Sequence, residues 1–240
     1  MIELKQIEAL QNMFQTSKEN VVREYAQHLW LSEFYRHKLA DEVLFKGGTA
    51  LRLVYKSPRF SEDLDFSYFG RNIVQVEEVV LSVWEQLEQW NIETELEESK
   101  ETTGGYLANI KVKLFGVEVM IVLEMSSRKK NGVRSEVLPV ASEYIPTYTA
   151  KLLPKEVMFA EKMDAALSRS KPRDFFDVYW LLREGLMPME QRERLGDLEK
   201  VLNKRRVKFG DELSLFLPRS LRQMVKDFPV PLLREIERWG

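Results

Sequence analysis

The chain has 240 residues, 44% of them hydrophobic, which is enough for one large domain or two small ones with a sizeable core. Its net charge is only −2, so any contact with nucleic acid must come from a local basic patch. The absence of cysteine excludes thiol catalysis, disulfides and cysteine-based zinc sites. Because the sequence has no secretory signal and no apolar run of about 20 residues, we expect a soluble, cytoplasmic protein without membrane contact.

Apolar residues recur at helical spacing through residues 3–37, and Ser17 is placed to cap a second helix within that segment. The two histidines of the chain, His28 and His37, both fall here. They form no HExxH pattern, and no Ser-His-Asp triad is visible. We therefore expect both histidines at the helix surface or at the edge of the core, and not in catalysis.

The segment from Val43 to Phe66 combines, in order, the parts of a ligand-binding unit. A short apolar run predicts a buried strand, and two glycines then allow a sharp turn and a close approach of the backbone to a ligand. A short helix follows and ends before a proline. The parts are the strand at 43–45, Gly47 and Gly48, the helix at 49–55, Pro58, and a second extended element at 60–66.

Asp63 and Asp65 alternate with Leu64 and Phe66 in that second extended element. In a strand, residues two apart point to the same face, so both carboxylates project together. Paired carboxylates repel each other unless a cation lies between them, and Mg²⁺ is commonly held by one or two carboxylates plus substrate phosphates. Free backbone N–H groups after the glycine turn favour an anion such as a triphosphate. Together these features predict a nucleotide–metal site.

Downstream, the pattern predicts strands that extend the same sheet and then a helical part. An amphipathic helix is predicted at 76–90, a strand at 91–98, a hairpin at 108–115 and 117–125, an Asn131-Gly132 turn, a proline-punctuated extended link at 139–154, and helices at 154–168 and 172–183. The remainder, to Gly240, is predicted to be helical and interrupted by prolines. We expect an α+β fold, with a core domain at 1–150 and a helical domain at 151–240 that completes the cleft.

The order of glycines, helix and Asp-apolar-Asp resembles the signature of the nucleotidyltransferase superfamily related to DNA polymerase beta. The fuller string KGGTALRLVY…RFSEDLDF is similar to the nucleotidyl transferase AbiEii/AbiGii toxin family. The similarity continues in AEKMDAALSR and KPRDFFDVYWLL and covers roughly residues 40 to 185. The resemblance implies a nucleotidyltransferase-like mixed sheet flanked by helices, followed by a mainly helical C-terminal part.

The resemblance also implies a metal site held by Asp63, Asp65 and a third carboxylate on a neighbouring strand. Glu118 and Glu124 are both candidates, since their even spacing puts them on one face of the predicted strand 117–125. The stretch IVLEMSSR resembles the strand of the family better at Glu124, which we expect to be the third ligand. The implied ion is Mg²⁺, with Mn²⁺ as the alternative.

The nucleotide is expected to contact two groups of residues. The first group lies beside the carboxylates, where the backbone N–H groups of Gly47, Gly48 and Thr49 are expected to bind the triphosphate. Arg59 and Ser61 flank the two aspartates, and Arg59 is expected to neutralise phosphate charge. Lys46 is expected to point to solvent.

The second group lies in the later motifs. By resemblance, Lys162 reaches the nucleotide phosphates and acts in catalysis with Asp177. Asp174 and Asp177 are three apart on the next predicted helix and share a face, so either could hold Lys162 in place. We favour Asp177 as its partner, with Asp174 at the nucleotide site or, like Arg173, structural.

The implied reaction moves an NMP from an NTP to an acceptor hydroxyl and releases pyrophosphate. Similar enzymes act in toxin–antitoxin modules, and some modify the 3′ end of tRNA, so the acceptor is expected to be tRNA or a protein, and an antitoxin is an expected partner. A local basic run could follow an RNA backbone: Lys200, Lys204, Arg205, Arg206 and Lys208.

Two other interpretations of the sequence stay open. The chain could be a catalytically idle module that keeps the fold and binds a nucleotide or a partner, although its intact Asp63 and Asp65 argue against this. It could also be a metal-dependent nuclease, whereas the glycine turn favours an NTP. A P-loop NTPase is not expected, because the sequence lacks GxxxxGK[ST].

Overall fold

The structure, a computed structural model, describes residues 1–129, 134–204 and 207–240. The turn expected at Asn131-Gly132 and the basic residues Arg205 and Arg206 therefore lie outside the described residues. The chain divides into two units. The first comprises Met1–Lys56 and Phe60–Leu153, and the second comprises Ser57–Arg59 and Pro154–Gly240. Within the described ranges, no helix is both long enough and apolar enough to cross a membrane.

The first unit is built on a mixed sheet with the strand order β3-β4-β5-β2-β1-β7-β6. Its strands are β1 (Val43–Lys46), β2 (Asp63–Tyr68), β3 (Glu93–Thr102), β4 (Gly105–Leu114), β5 (Val117–Ser127), β6 (Glu136–Val140) and β7 (Tyr148–Leu152). Strand β2 lies between β1, to which it is antiparallel, and β5, to which it is parallel. The predicted α+β class, with a mixed sheet and flanking helices, is confirmed.

The helices of the first unit are α1 (Leu4–Phe14), α2 (Lys18–Phe34), α3 (Gly47–Leu53) and α4 (Ile73–Gln89). Ser17 caps α2 as predicted, because its Oγ accepts a hydrogen bond from the backbone N–H of Asn20 at 3.2 Å. Helix α2 covers the buried face of β2, where Trp30 and Phe34 pack on Phe66 with ring centroids 5.9 and 5.6 Å apart. This packing fixes which face of β2 points inward.

The segment expected to be an extended link at 139–154 contains two strands of the sheet. Strand β7 pairs parallel with β1 through Phe45 and Leu152, and β6 pairs antiparallel with β7. Pro139 lies within β6, which is the outermost strand of the sheet. A proline is tolerated there because an edge strand has one side without a ladder partner. The prediction of a simple link was therefore wrong.

The described part of the second unit is helical. Its α-helices are α5 (Lys155–Ser168), α6 (Pro172–Arg183), α7 (Leu195–Lys204), α8 (Phe209–Phe216), α9 (Arg222–Lys226) and α10 (Pro229–Trp239). Its core is aromatic, with Phe176 and Phe209 packed on Phe228 at centroid distances of 5.6 and 4.9 Å. Pro231 does not interrupt α10, since it lies in the first turn, where a backbone N–H has no helical partner.

Candidate active site

The exposed face of β2 carries two carboxylates. Leu64 and Phe66 are fully buried, while Asp63 and Asp65, which alternate with them, are half-buried. This is the alternation expected of a strand with one face in the core. Asp63 and Asp65 therefore project from the same face, as the spacing predicts.

Glu124 lies beside this pair on the neighbouring strand. In the parallel register of β2 and β5, Asp65 is opposite Glu124 and Asp63 is opposite Val122. Glu124 is exposed between the buried residues Leu123 and Met125. Residues opposite each other in adjacent strands share a face, so Glu124 belongs to the face of the two aspartates. We call Asp63, Asp65 and Glu124 the carboxylate face.

The alternative candidate, Glu118, lies farther along β5. It pairs with Lys113 of β4 and precedes Val122, the residue opposite Asp63, by four positions. Four residues of strand span roughly 13 Å, so Glu118 is remote from both aspartates. The register therefore favours Glu124 over Glu118.

The first residue of α3 approaches Asp65 closely. Gly47 has a φ of +79°, and a Cβ atom at this position would lie 2.6 Å from Cγ and 2.7 Å from Cβ of Asp65. Only glycine fits both the backbone conformation and the space. Helix α3 begins at Gly47 and not at Thr49 as predicted, and it has seven residues. The turn that precedes it thus borders the carboxylate face.

Two buried polar side chains hold the backbone that leads into β2. The Thr49 hydroxyl donates to the carbonyl oxygen of Asp63, and Thr49 is fully buried. The Gln27 side-chain amide donates to the carbonyl oxygens of Ser61 and Glu62 at 3.1 and 2.9 Å. Gln27 gave no signal in the sequence, because a glutamine in an apolar helix has many possible partners. Both side chains therefore hold the backbone of Asp63 and of the two residues that precede it.

Lys46 occupies a different place from the one expected. It is opposite Asp65 in the antiparallel register of β1 and β2, and only 9% of its surface is exposed. Directly opposite residues in such a pair have neighbouring side chains on one face. Lys46 is therefore a buried cross-strand neighbour of Asp65, and the prediction that it points to solvent was wrong.

The second unit contains a buried ionic cluster around Asp177. Arg59 donates from Nε and Nη2 to the two carboxylate oxygens of Asp177 at 2.8 and 2.9 Å. The Nζ of Lys162 lies 2.7 Å from Oδ2 of the same carboxylate, so the predicted partnership of Lys162 and Asp177 is confirmed. Asp177 is 1% exposed. We call these three residues the Asp177 cluster.

The positive charges of the Asp177 cluster shift the pKa of Asp177. Burial alone would raise the pKa of Asp177, but the positive charges of Arg59 and Lys162 outweigh it and hold that pKa below its usual range. Arg59 was expected to contact the phosphates. It is 4% exposed, and its Nε and Nη2 groups both donate to Asp177. It therefore anchors the short segment 57–59 to α6 within the second unit.

Asp174 has a structural environment. Its carboxylate accepts from the backbone N–H of Lys171, the residue that precedes α6, at 3.3 Å, and from Arg169 at 2.8 Å. Asp174 is 1% exposed, and the neighbouring Arg173 lies 3.6 Å from Glu212. These contacts agree with the expectation that Asp174 or Arg173 is structural, and the nucleotide contact expected of Asp174 stays a prediction.

The carboxylate face suits a hard cation in its chemistry. Among the described residues, no three His, Asp or Glu side chains meet closely enough to hold a metal ion by themselves. Asp63, Asp65 and Glu124 nonetheless offer only oxygen donors from one face of two paired strands. Mg²⁺ is usually bound by one or two carboxylates and completed by waters and substrate phosphates. The donor set therefore fits the ligand preference of Mg²⁺.

The described part of the basic run lies on and after α7. Lys200 is paired with Asp197 at 2.9 Å on an exposed surface, and Lys204 and Lys208 are also exposed. An exposed ion pair of this kind contributes little to stability. These lysines are therefore available as surface charges, as the sequence suggests.

Comparison with known proteins agrees with this geometry. Two crystal structures from Helicobacter pylori share the fold: JHP933, at 23% identity and a TM-score of 0.59, and a protein provisionally described as a nucleotidyltransferase, at 24% identity and a TM-score of 0.61. Each alignment covers 93% of this chain, with 94% and 97% of the respective relatives. A search of curated proteins found no match. The model of the family described as nucleotidyl transferase AbiEii toxin, type IV TA system, matches residues 29–237. The chain therefore belongs to the AbiEii nucleotidyl transferase toxin family of type IV toxin–antitoxin systems.

Proposed function

We propose that this protein transfers an NMP from an NTP to an acceptor hydroxyl and releases pyrophosphate. The observation that carries the proposal is the carboxylate face, with Asp63 and Asp65 on one side of β2 and Glu124 in register beside Asp65. In the step, the acceptor oxygen forms a bond to the α-phosphorus. The bond from that phosphorus to the bridging oxygen of the β-phosphate breaks, and the proton of the acceptor hydroxyl passes to solvent water.

In this proposal the first unit positions the metal and the triphosphate. Asp63, Asp65 and Glu124 hold Mg²⁺, with Mn²⁺ as the alternative ion. Bound Mg²⁺ would lower the pKa of the acceptor hydroxyl and stabilise the charge of the departing pyrophosphate. Backbone N–H groups at Gly47 and Gly48 bind phosphate oxygens, since glycine lets a ligand approach the backbone closely.

The remaining residues orient these groups. Thr49 contributes by holding the backbone at Asp63, because its hydroxyl is already bonded there. Lys46 contributes positive charge next to Asp65. Neither side chain needs to touch the nucleotide to have an effect, since small displacements of metal ligands lower transfer rates strongly.

Lys162 is proposed to bind the phosphates of the NTP, as the family resemblance implies. Asp177 contributes by fixing its rotamer, which the 2.7 Å ion pair supports. Arg59 completes that cluster from the other side of the carboxylate. The expectation that Lys162 faces Asp63 and Asp65 stays a prediction.

The biological role proposed is that of the toxin in a two-gene module, with an antitoxin protein as partner, which the family description supports. The acceptor is proposed to be an RNA hydroxyl, for which the exposed lysines Lys200, Lys204 and Lys208 supply positive charge. A protein hydroxyl is the alternative acceptor.

Two other functions make different predictions. A catalytically idle module would bind an NTP without turnover. A metal-dependent nuclease would shorten RNA without consuming an NTP. Both would use the same carboxylates, so the products must separate them.

The test incubates the protein with Mg²⁺, total RNA and each of the four NTPs in turn, labelled with ³²P at the α-phosphate, and separates the products on a gel. Label attached to RNA or to a protein supports transfer and identifies the acceptor. RNA shortened without label would support the nuclease. Bound but unreacted NTP with all four nucleotides would support the idle module.

A further inference from the structure

A cavity of about 420 Å³ opens in the first unit, away from the carboxylate face. It lies where α2, the end of α3 and the segment 141–147 meet. Its volume falls within the range of small-molecule sites, roughly 300–1,000 Å³. The residues that matter here are Glu24, His28, Arg52, Lys56, Ser142 and Tyr144.

An ion pair makes one side of the cavity rigid. Arg52 donates from Nε to Glu24 at 2.6 Å and from Nη2 at 3.3 Å, and the Tyr144 hydroxyl donates to Glu24 at 3.1 Å. The guanidinium of Arg52 also lies 3.8 Å from the ring centroid of Phe60. The charge of Glu24 is thus matched by Arg52, and this side adds no net charge to the cavity.

The largely buried ring of His28 lines the cavity. It is 2% exposed, and its Nδ1 lies 3.0 Å from the hydroxyl of Tyr148. Within the described part of the chain, no residue forms a hydrogen bond with its other ring nitrogen, Nε2. Nε2 can therefore form a hydrogen bond with a ligand that supplies a partner.

The potential at His28 is positive. Burial, and then the charges of Lys56 and Arg52, lower the pKa of His28 to about 3. The ring is therefore neutral, and Nε2 carries the proton whenever Tyr148 donates to Nδ1. A positive potential and an N–H donor both favour an anionic occupant.

Lys56 and Ser142 supply donors at the mouth of the cavity. The ammonium of Lys56 donates to the carbonyl oxygens of Leu53 at 2.8 Å and Ala141 at 3.1 Å, both neutral acceptors, which leaves a third N–H. The Ser142 oxygen accepts from the backbone N–H of Tyr144 at 3.0 Å, and its own proton can still be donated. Glu143 is exposed at the rim and opposes an anion only there.

We propose that this cavity binds a small organic anion, with a carboxylate or phosphate group held by Lys56, Ser142 and His28 and an uncharged body beside them. Phe14, Leu53 and the ring of Tyr144 provide apolar surface for that body. Leu53 ends α3, the short helix whose first residue borders Asp65, so an occupant contacts an element shared with the carboxylate face. The site itself does not depend on nucleotidyl transfer.

The two histidines of the chain make a direct test possible. In protein labelled with ¹⁵N-histidine, imidazole ¹H–¹⁵N correlation spectra contain signals from His28 and His37 alone. The probes are benzoate and phenyl phosphate, which distinguish the two anionic groups, and benzyl alcohol, which keeps the body without the charge. We expect at least one anion to shift the Nε2 signal of His28 saturably, while benzyl alcohol has at most a tenth of that affinity and His37 does not respond.

Variants assign the binding to this cavity. Lys56→Gln should weaken the anion by roughly tenfold or more, because it removes a charged hydrogen bond. The matched control Lys5→Gln, at an exposed lysine on α1, should leave the affinity unchanged. Ala141→Trp, at an exposed residue of the rim, should block the cavity without changing Lys56 itself.

The proposal is overturned if neither anion moves the His28 signal at about 10 mM, ten times a millimolar Kd. It is equally overturned if benzyl alcohol binds as well as the anions, or if binding survives both Lys56→Gln and Ala141→Trp.

Discussion

Replacement of Gly47 by alanine tests how closely the glycine turn and the carboxylate face depend on each other. An alanine at a φ of +79° costs about 1–2 kcal/mol in backbone strain. Its Cβ would also meet Cγ of Asp65 at 2.6 Å and Cβ of Asp65 at 2.7 Å, so β2 itself must shift. Overpacking of this kind costs about 1–3 kcal/mol. We therefore expect Gly47→Ala to lower the free energy of unfolding by about 2–5 kcal/mol in total.

Gly116 provides the matched control for Gly47→Ala. It lies in the turn between β4 and β5 of the same unit and has a φ of +74°, and a Cβ atom added there would meet no atom of the described residues within 4 Å. Gly116→Ala should thus lower the stability only through backbone strain, by about 1–2 kcal/mol, and keep full transferase activity. Urea unfolding of the whole chain measures the difference, and both variants affect the same unit.

The activity of the two alanine variants completes this test. A displacement of Asp65 by about 1 Å should lower transfer on the order of 100-fold in Gly47→Ala. Equal stability and equal activity of the Gly47→Ala and Gly116→Ala variants would refute the close approach of Gly47 to Asp65.

Three further predictions concern buried groups. Asp177→Asn should destabilise the second unit by about 3–5 kcal/mol, because Arg59 and Lys162 lose their shared counter-charge. Urea unfolding measures this change, and a loss under about 1 kcal/mol would contradict a buried cluster. Lys162→Ala keeps the ion pair of Arg59 and Asp177, so it should lower the stability less than Asp177→Asn does. It should weaken NTP binding, measured by equilibrium dialysis, and an unchanged NTP affinity would remove Lys162 from the site. His28 has a folded-state pKa of about 3 against 6.5 when unfolded, so the unfolded chain binds the extra proton as the pH falls. Its contribution to stability is present above pH 6.5 and is lost at roughly 1.4 kcal/mol per pH unit below it, a slope that His28→Gln should remove from unfolding curves taken between about pH 4 and 7.

Local patterns were enough to predict that Asp63 and Asp65 share one face. The alternation of Asp63 and Asp65 with Leu64 and Phe66 requires only that β2 have one buried face, and the packing of α2 supplies that face. The cap at Ser17 is likewise decided within three residues of sequence. Features of this kind depend on neighbours in the chain, so a single sequence contains them.

Features that depend on distant partners were missed or misassigned. Arg59 forms an ion pair with a residue 118 positions later, a partner that nothing near Arg59 in the sequence indicates. Strand β7 pairs with β1 across about a hundred residues, so the prolines around it suggested a link. The burial of Lys46 follows from its register with Asp65, which becomes visible only once β1 and β2 are paired.

The most direct test of the account compares NTP labelled at the α-phosphate with the same NTP labelled at the γ-phosphate, in the unaltered protein and in the Asp65→Asn variant. The account predicts that the α-label becomes covalently attached to the acceptor while the γ-label is released as pyrophosphate in equal amount. It also predicts that the Asp65→Asn variant neither transfers the α-label nor releases the γ-label as pyrophosphate, although its free energy of unfolding lies within about 1 kcal/mol of that of the unaltered protein. Label transfer that persists in a folded Asp65→Asn variant, or γ-label found on the acceptor, would contradict the central claim.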